Sequence, residues 1–138
     1  MGIEEVAREY LEVWNRRDWS RLDTLVADDA EIVDFDGSSG TGPAGARAQG
    51  EMYATAFPDG TIEIKRLIVA GDTAVAEVVG RGTNDGPFGD TPATHRSGEL
   101  PFVNVITIRE GKVVADRQYG DTMTLLTQLG LAPEPAHA

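Results

Sequence analysis

The chain has 138 residues, a length that predicts one domain with its own hydrophobic core. It has no cysteine and only two histidines, which excludes disulfides and cysteine-ligated metals and disfavours a histidine-rich metal site. The net charge of −11 disfavours binding to nucleic acids and to anionic membranes. Because no apolar segment reaches membrane-spanning length and no secretory signal begins the chain, we expect a cytoplasmic protein.

The N-terminal half is predicted to be mainly helical. Apolar side chains recur there at helical spacing, interrupted by a pair of aspartates and a glycine-rich stretch. The predicted elements are a helix over residues 3–15, a short helix capped by Asp18 and carrying Leu22, Leu25 and Val26, a strand over 31–35, a loop over 37–42, and a third helix that begins near Pro43 and ends before a turn at 58–60.

The C-terminal half alternates between apolar and polar residues, which predicts strands. The predicted elements are strands over residues 61–70, 73–83, 99–109 and 112–119, a long loop from Asn84 to about Ser97, a helix over 122–129, and a disordered tail over 132–138. Helices followed by an antiparallel meander predict an α+β fold over residues 1–131, in which a curved, cone-shaped sheet packs against the N-terminal helices.

A G-x-G-x-x-G motif spans residues 40–45, after the first predicted strand and at the start of a helix. A dinucleotide site also requires a buried apolar strand, a tight first turn and further βαβ units. The preceding strand carries Glu31 and Asp34, and a meander follows. We therefore interpret the motif as a glycine-rich connection.

The last predicted strand is rich in groups that bind or transfer protons. Arg117, Tyr119 and Asp121 alternate along it and share one face. If that face is concave, the carboxylate can move protons and the phenol can donate to a developing oxyanion. A structural interpretation competes with this one, since Asp121 stands where an N-cap belongs and Arg117 can pair with Asp116 or Asp121. Local spacing leaves both interpretations open.

Other candidate site residues come from the helices, a strand and the long loop. Trp14, Tyr53 and Phe57 have the spacing of a buried face, and we expect some of them to line a cavity. Asn104 interrupts an apolar strand and needs a polar partner or a function. His95 is expected at the surface of the loop or at the mouth of a pocket.

With these residues in view, the chain resembles the SnoaL-like polyketide cyclases, which belong to the superfamily named after nuclear transport factor 2. The resemblance covers nearly the whole chain. Its motifs are W-N-x-x-D within residues 10–18, L-x-x-L-x-x-D-D-A over 22–30, the end of the third helix at 56–59, the hairpin over 106–114, and the segment 121–130, which is the most family-specific.

The resemblance implies a homodimeric α+β cone with a deep pocket for a small apolar or aromatic substrate. Such cyclases close the last ring of an aromatic polyketide by an intramolecular aldol reaction, with neither a metal nor a cofactor. An aspartate on the last strand is their general acid and base, and Asp121 is the matching position.

Two other classes of function stay open. The same fold also occurs as a non-catalytic ligand-binding or dimerisation module, in which Asp121 is a helix cap and nothing more. An enzyme of the ketosteroid isomerase or limonene epoxide hydrolase type would use carboxylates elsewhere, and Asp34 and Asp36 at a strand end are its candidates.

Overall fold

The computed structural model describes residues 1–131, and the predicted tail over 132–138 lies outside them. The helices are α1 (Ile3–Arg16), α2 (Leu22–Leu25), α3 (Gly42–Ala56) and α4 (Thr122–Gln128), with a 3₁₀ turn at Trp19–Arg21. The strands are β1 (Val26–Val33), β2 (Ser39–Thr41), β3 (Thr61–Ala70), β4 (Thr73–Thr83), β5 (Ser97–Arg109) and β6 (Lys112–Gly120).

All six strands form one sheet in the order β2-β1-β6-β5-β4-β3. Strands β3 to β6 pair with their neighbours in antiparallel fashion, which confirms the predicted meander. Strand β1 joins the free edge of β6 in parallel, a pairing that the sequence did not indicate. The α+β fold with a curved sheet and N-terminal helices is therefore confirmed.

Three features of the N-terminal half differ from the prediction. Strand β1 begins at Val26 and not near residue 31, because the β-branched Val26 pairs with Val113 of β6 instead of continuing the helix. The side chain of Asp18 makes no capping bond to the turn that follows it. The predicted loop over 37–42 contains the short strand β2, which pairs with β1.

Helix α1 supplies much of the core because its apolar residues fall on one face. Val6 and Ala7 are fully buried. The helix ends at Arg17, whose guanidinium donates to the carbonyls of Trp14 and Gly60 and lies 3.7 Å above the Trp14 ring. Arg17 thereby fixes the end of α1 to the turn that follows α3.

A β-bulge in β6 decides which side chains point into the concave face. Ile108 pairs with Val113 and Thr107 pairs with Ala115, so Val114 is an extra residue in β6. Strict alternation from the buried Val113 would place residues 115, 117 and 119 inside. The extra residue reverses the alternation and turns Asp116 inward, where it is 1% exposed.

The glycine-rich segment serves close packing between β1, β2 and α3. A Cβ on Gly45 would lie 2.7 Å from the backbone of Gly40, and one on Gly42 would lie 2.5 Å from the carbonyl of Asp28. Gly42 also has a φ of 68°, which side-chain-bearing residues rarely adopt. These close backbone contacts explain the glycines of the motif and agree with its interpretation as a glycine-rich connection.

Candidate active site

A cavity of about 160 Å³ lies between the helices and the concave face of the sheet. Its wall is mainly apolar and includes seven aromatic residues, Tyr10, Trp14, Trp19, Phe35, Tyr53, Phe57 and Phe102. The rings of Trp14 and Trp19 are stacked with their centroids 6.2 Å apart. The chain has no other tryptophan.

The periodicity of each helix and strand explains which of its residues line the cavity. On α3, positions 46, 49, 50 and 53 line the cavity, which is one helical face. On β5, positions 98, 100, 102 and 104 line it, which is one face of a strand. Gly82 lets the turn after α3 pack closely against β4, because a Cβ on Gly82 would lie 3.1 Å from both Gly60 and Phe57.

The polar end of the cavity is built around the carboxyl group of Asp116. Its Oδ2 accepts hydrogen bonds from the Tyr10 hydroxyl at 2.6 Å and from Gln118 Nε2 at 3.0 Å. Its Oδ1 accepts one from Asn104 Nδ2 at 2.9 Å. Three elements, α1, β5 and β6, therefore meet at one buried carboxyl group.

Burial raises the pKa of Asp116 above its ordinary value, because the charged form loses the solvation of water. The hydrogen bonds from Tyr10, Asn104 and Gln118 oppose this shift, and the nearby charge of Asp34 adds to it. The net direction is upward, so the group binds a proton more readily than an exposed aspartate does. Burial and the charge of Asp116 likewise raise the pKa of Tyr10.

Gln49 and Gln118 fix each other across the cavity wall. Each side-chain amide donates to the other's oxygen, at 3.0 and 2.9 Å. The second N–H of the Gln118 amide donates to Oδ2 of Asp116. Asn104 Oδ1, in contrast, is buried and has no hydrogen-bond partner among residues 1–131.

A second phenol–carboxylate pair lies beside the first. The Tyr53 hydroxyl donates to both carboxylate oxygens of Asp34, at 3.0 and 3.1 Å. Asp34 is 9% exposed, whereas Asp36 is exposed and binds Ser38. Burial and the charge of Asp34 raise the pKa of Tyr53 well above its ordinary value.

Four of the predicted site residues line the cavity: Trp14, Tyr53, Phe57 and Asn104. The polar partner that Asn104 was expected to need is Asp116. His95 is exposed in the long loop, where its Nδ1 lies 3.0 Å from Asp85 Oδ1. It does not line the cavity.

The structure places Arg117, Tyr119 and Asp121 outside the cavity. Arg117 is exposed and pairs with Glu31 at 3.0 Å, and Tyr119 is 57% exposed. Asp121 is the exposed N-cap of α4, where its carboxylate accepts bonds from the backbone N–H and the hydroxyl of Thr124. Those bonds lower the pKa of Asp121. Of the two interpretations that spacing left open for Asp121, the geometry favours the cap.

The sequence patterns did not indicate that Asp116, Tyr10, Gln49 and Gln118 line the cavity. One signal could have found Asp116, because Asn104 needed a partner and the hairpin brings β6 beside it. The bulge at Val114 has no such signal, and it determines which face of β6 is concave. Spacing alone therefore could not show which set of side chains on β6 faces the cavity.

Within residues 1–131, no three histidine or acidic side chains are grouped so that they could hold a metal ion. In the same part of the chain, no helix has the length and apolar character needed to cross a membrane.

Solved structures of other proteins share this fold. IdmH from Streptomyces antibioticus, provisionally assigned as a polyketide cyclase, superposes with a TM-score of 0.79 at 28% identity, over 94% of this chain and 99% of its own. A protein from Catenulispora acidiphila with a ketosteroid isomerase-like fold gives 0.80 at 22% identity, over 95% and 98%. AclR from Streptomyces galilaeus, provisionally assigned as a hydroxylase, gives 0.81 at 22% identity, over 97% and 88%.

No curated protein matches the chain. The family model described as SnoaL-like polyketide cyclase matches residues 4–129, which include every residue that lines the cavity. The chain therefore belongs to the SnoaL-like polyketide cyclase family.

Proposed function

We propose that the protein closes a ring in an aromatic polyketide-like substrate by an intramolecular aldol reaction, with Asp116 as general acid and base and without a cofactor. One observation carries the proposal: a buried carboxyl group with a raised pKa lies at the polar end of a mainly apolar cavity. A raised pKa makes the carboxylate a stronger base than an ordinary aspartate, which suits it to accept a proton from a carbon acid. The family membership supports the substrate class.

The proposed reaction needs one proton to leave and return. Asp116 takes a proton from a substrate carbon between two carbonyl groups. The resulting enolate carbon attacks the carbon of a third carbonyl group in the same molecule. A carbon–carbon bond forms, the attacked carbonyl oxygen becomes an alkoxide, and Asp116 returns the proton to that oxygen. Atoms and charge balance without an oxidant or a reductant.

The surrounding donors suit this movement of charge. While Asp116 is ionised, the hydroxyl of Tyr10 is bound to its Oδ2. Once Asp116 holds the proton, that hydroxyl is released to donate to the enolate or alkoxide, because it no longer balances a carboxylate. Because Tyr10 lines the cavity, its hydroxyl in this mechanism changes its hydrogen-bond acceptor from Asp116 to the substrate oxygen when the negative charge moves there.

In this proposal Asp116 takes the role that the family resemblance gave to Asp121. Asp121 is exposed, and its carboxylate is occupied by Thr124 at the start of α4. A lowered pKa makes it a weaker base than an ordinary aspartate. Both properties are typical of a helix cap.

The test compares two isosteric variants on one substrate. The probe is an aryl ketone that carries a β-keto ester on the neighbouring ring carbon, and NMR follows its closure to the new ring. We expect the wild-type protein to accelerate closure, Asp116→Asn to reduce the rate to that in buffer, and Asp121→Asn to keep the wild-type rate. Circular dichroism of each variant controls for folding.

Two results would overturn the proposal. Full activity in Asp116→Asn with loss of activity in Asp121→Asn would return the catalytic role to Asp121. No acceleration by the wild-type protein, on this probe and on longer poly-β-ketone esters, would favour a binding module with the same fold.

A further inference from the structure

The pair formed by Tyr53 and Asp34 has no part in the mechanism above. Tyr53 lines the cavity, whereas Asp34 does not. The phenolic proton is shared between the two oxygens of the Asp34 carboxylate, so it points away from the cavity and toward the end of β1. The raised pKa of Tyr53 keeps that proton on the phenol at neutral pH.

Both members of the pair are held in place. The Tyr53 ring has Phe35 and Phe88 packed edge-on against it, with centroid distances of 6.2 and 5.5 Å. Asp34 is fixed by its own turn, in which its Oδ1 accepts from the N–H of Phe35 at 2.7 Å and its backbone N–H donates to Ser38. Rotation of the phenolic proton toward the cavity would therefore leave Oδ2 of this buried carboxylate without the donor that Tyr53 provides, which is costly.

The hydrogen-bonding capacity that remains on Tyr53 is that of an acceptor. A phenol has one proton to donate, and its oxygen can still accept. Among residues 1–131, no group donates to the Tyr53 oxygen. Asn104, which also lines the cavity, carries a buried Oδ1 that has no partner among residues 1–131.

We infer that Tyr53 selects ligands that carry a hydroxyl group, by accepting a hydrogen bond from a phenolic or enolic O–H within the cavity. Asp34 is the positioning residue, since it holds the Tyr53 proton and thereby makes the phenol oxygen an acceptor. An ether or ester oxygen at the same place meets another acceptor and gains nothing. The inference deepens the proposed function and rests on it in one respect, that this cavity is the substrate site.

The test uses two ligands that differ in one proton donor. 2-Naphthol carries a phenolic O–H, and 2-methoxynaphthalene has the same ring system with an oxygen that cannot donate. Isothermal titration calorimetry measures the affinity of each for the wild-type protein, Tyr53→Phe and Tyr119→Phe. Tyr119→Phe is the matched control, because it makes the same chemical change on an exposed tyrosine.

We expect the wild-type protein and Tyr119→Phe to bind 2-naphthol about tenfold more tightly than 2-methoxynaphthalene, which is the effect of one hydrogen bond. In Tyr53→Phe the two affinities should become equal, with the affinity for 2-methoxynaphthalene unchanged. That unchanged affinity also shows that the variant keeps its cavity.

Equal affinities in the wild-type protein would overturn the inference, and so would a preference that survives in Tyr53→Phe. Failure of both compounds to bind the wild-type protein up to their solubility limits would overturn it as well. Neither compound has a carbon acid between two carbonyls, so the outcome is independent of catalysis by Asp116. Naphthol selectivity together with full activity in Asp116→Asn would overturn the proposed mechanism alone.

Discussion

Tyr10 and Asp116 are separated by 106 positions in the chain, and a hydrogen bond of 2.6 Å joins their side chains. The bond connects the first helix to the last strand at the polar end of the cavity. The environment of the carboxyl group therefore depends on the correct packing of α1 against the sheet, and it exists only in the folded chain.

The raised pKa of Asp116 predicts a pH-dependent stability effect with a definite sign. Between the ordinary pKa of 3.8 and the raised folded-state pKa, the folded chain holds this proton and the unfolded chain does not. The contribution of Asp116 to stability therefore falls as the pH rises through that window. In urea titrations from pH 4 upward, the free energy of unfolding of Asp116→Asn should increase relative to that of the wild-type protein. A difference that is flat or that decreases with pH would contradict the assignment.

The pH dependence of stability expected from Asp121 has the opposite sign to that expected from Asp116. The folded-state pKa of Asp121 is lowered by Thr124, so the ionised form contributes stability above the ordinary pKa of 3.8, and this contribution is lost as the pH falls below it. Relative to the wild-type protein, Asp121→Asn should gain stability as the pH falls through that range. At neutral pH, Asp121→Ala should be less stable than Asp121→Asn because alanine cannot cap α4. Thermal melts of the three proteins at matched pH values test both statements.

Asn84 predicts a large loss of stability on truncation. It is fully buried, donates to the carbonyls of Ala56 and Gly86, and accepts from the backbone and hydroxyl groups of Thr94. Asn84→Ala leaves these groups buried without partners, and we expect a loss of about 3 kcal/mol in urea denaturation. Ser97→Ala, at an exposed position where β5 begins, should change stability little. A loss in Asn84→Ala as small as that in Ser97→Ala would contradict the prediction.

Two glycines of β4 predict different outcomes for the same substitution. A Cβ on Gly80 would meet the Phe102 ring at an ordinary 3.5 Å, so Gly80→Ala should fold normally and place a methyl group on the cavity wall. Its affinity for 2-naphthol should fall while its melting temperature stays unchanged. A Cβ on Gly82 would lie 3.1 Å from Gly60 and Phe57, so Gly82→Ala should lower the melting temperature. Calorimetry and melts on both variants separate the two effects.

The sequence predicted the fold well where local pattern and tertiary structure agree. The helix over residues 3–15 and the hairpin of β5 and β6 appear close to their expected limits, because amphipathic periodicity and turn residues determine them locally. Strand β1 was predicted too short, because its first half becomes a strand only through parallel pairing with β6. That pairing joins distant parts of the chain and leaves no local pattern.

The candidate site was predicted in part, for the same physical reason. Trp14, Tyr53 and Phe57 follow from the apolar faces of helices, and they line the cavity. Asp121, the carboxyl group that the family resemblance indicated, lies outside the cavity. Asp116 faces inward instead, because a single extra residue at Val114 reverses the alternation of side chains. Bulges arise from how two strands pair, so the spacing within one strand does not reveal them.

The stacked pair of Trp14 and Trp19 has an experimental consequence. These two residues are the complete set of indoles in the chain, and both lie on the cavity wall. Light absorbed at the red edge of the protein spectrum therefore excites the cavity wall alone. A shift or quenching of the native emission on mixing would report occupancy directly, so a library of unlabelled compounds can be screened on the unmodified protein before any substrate is known.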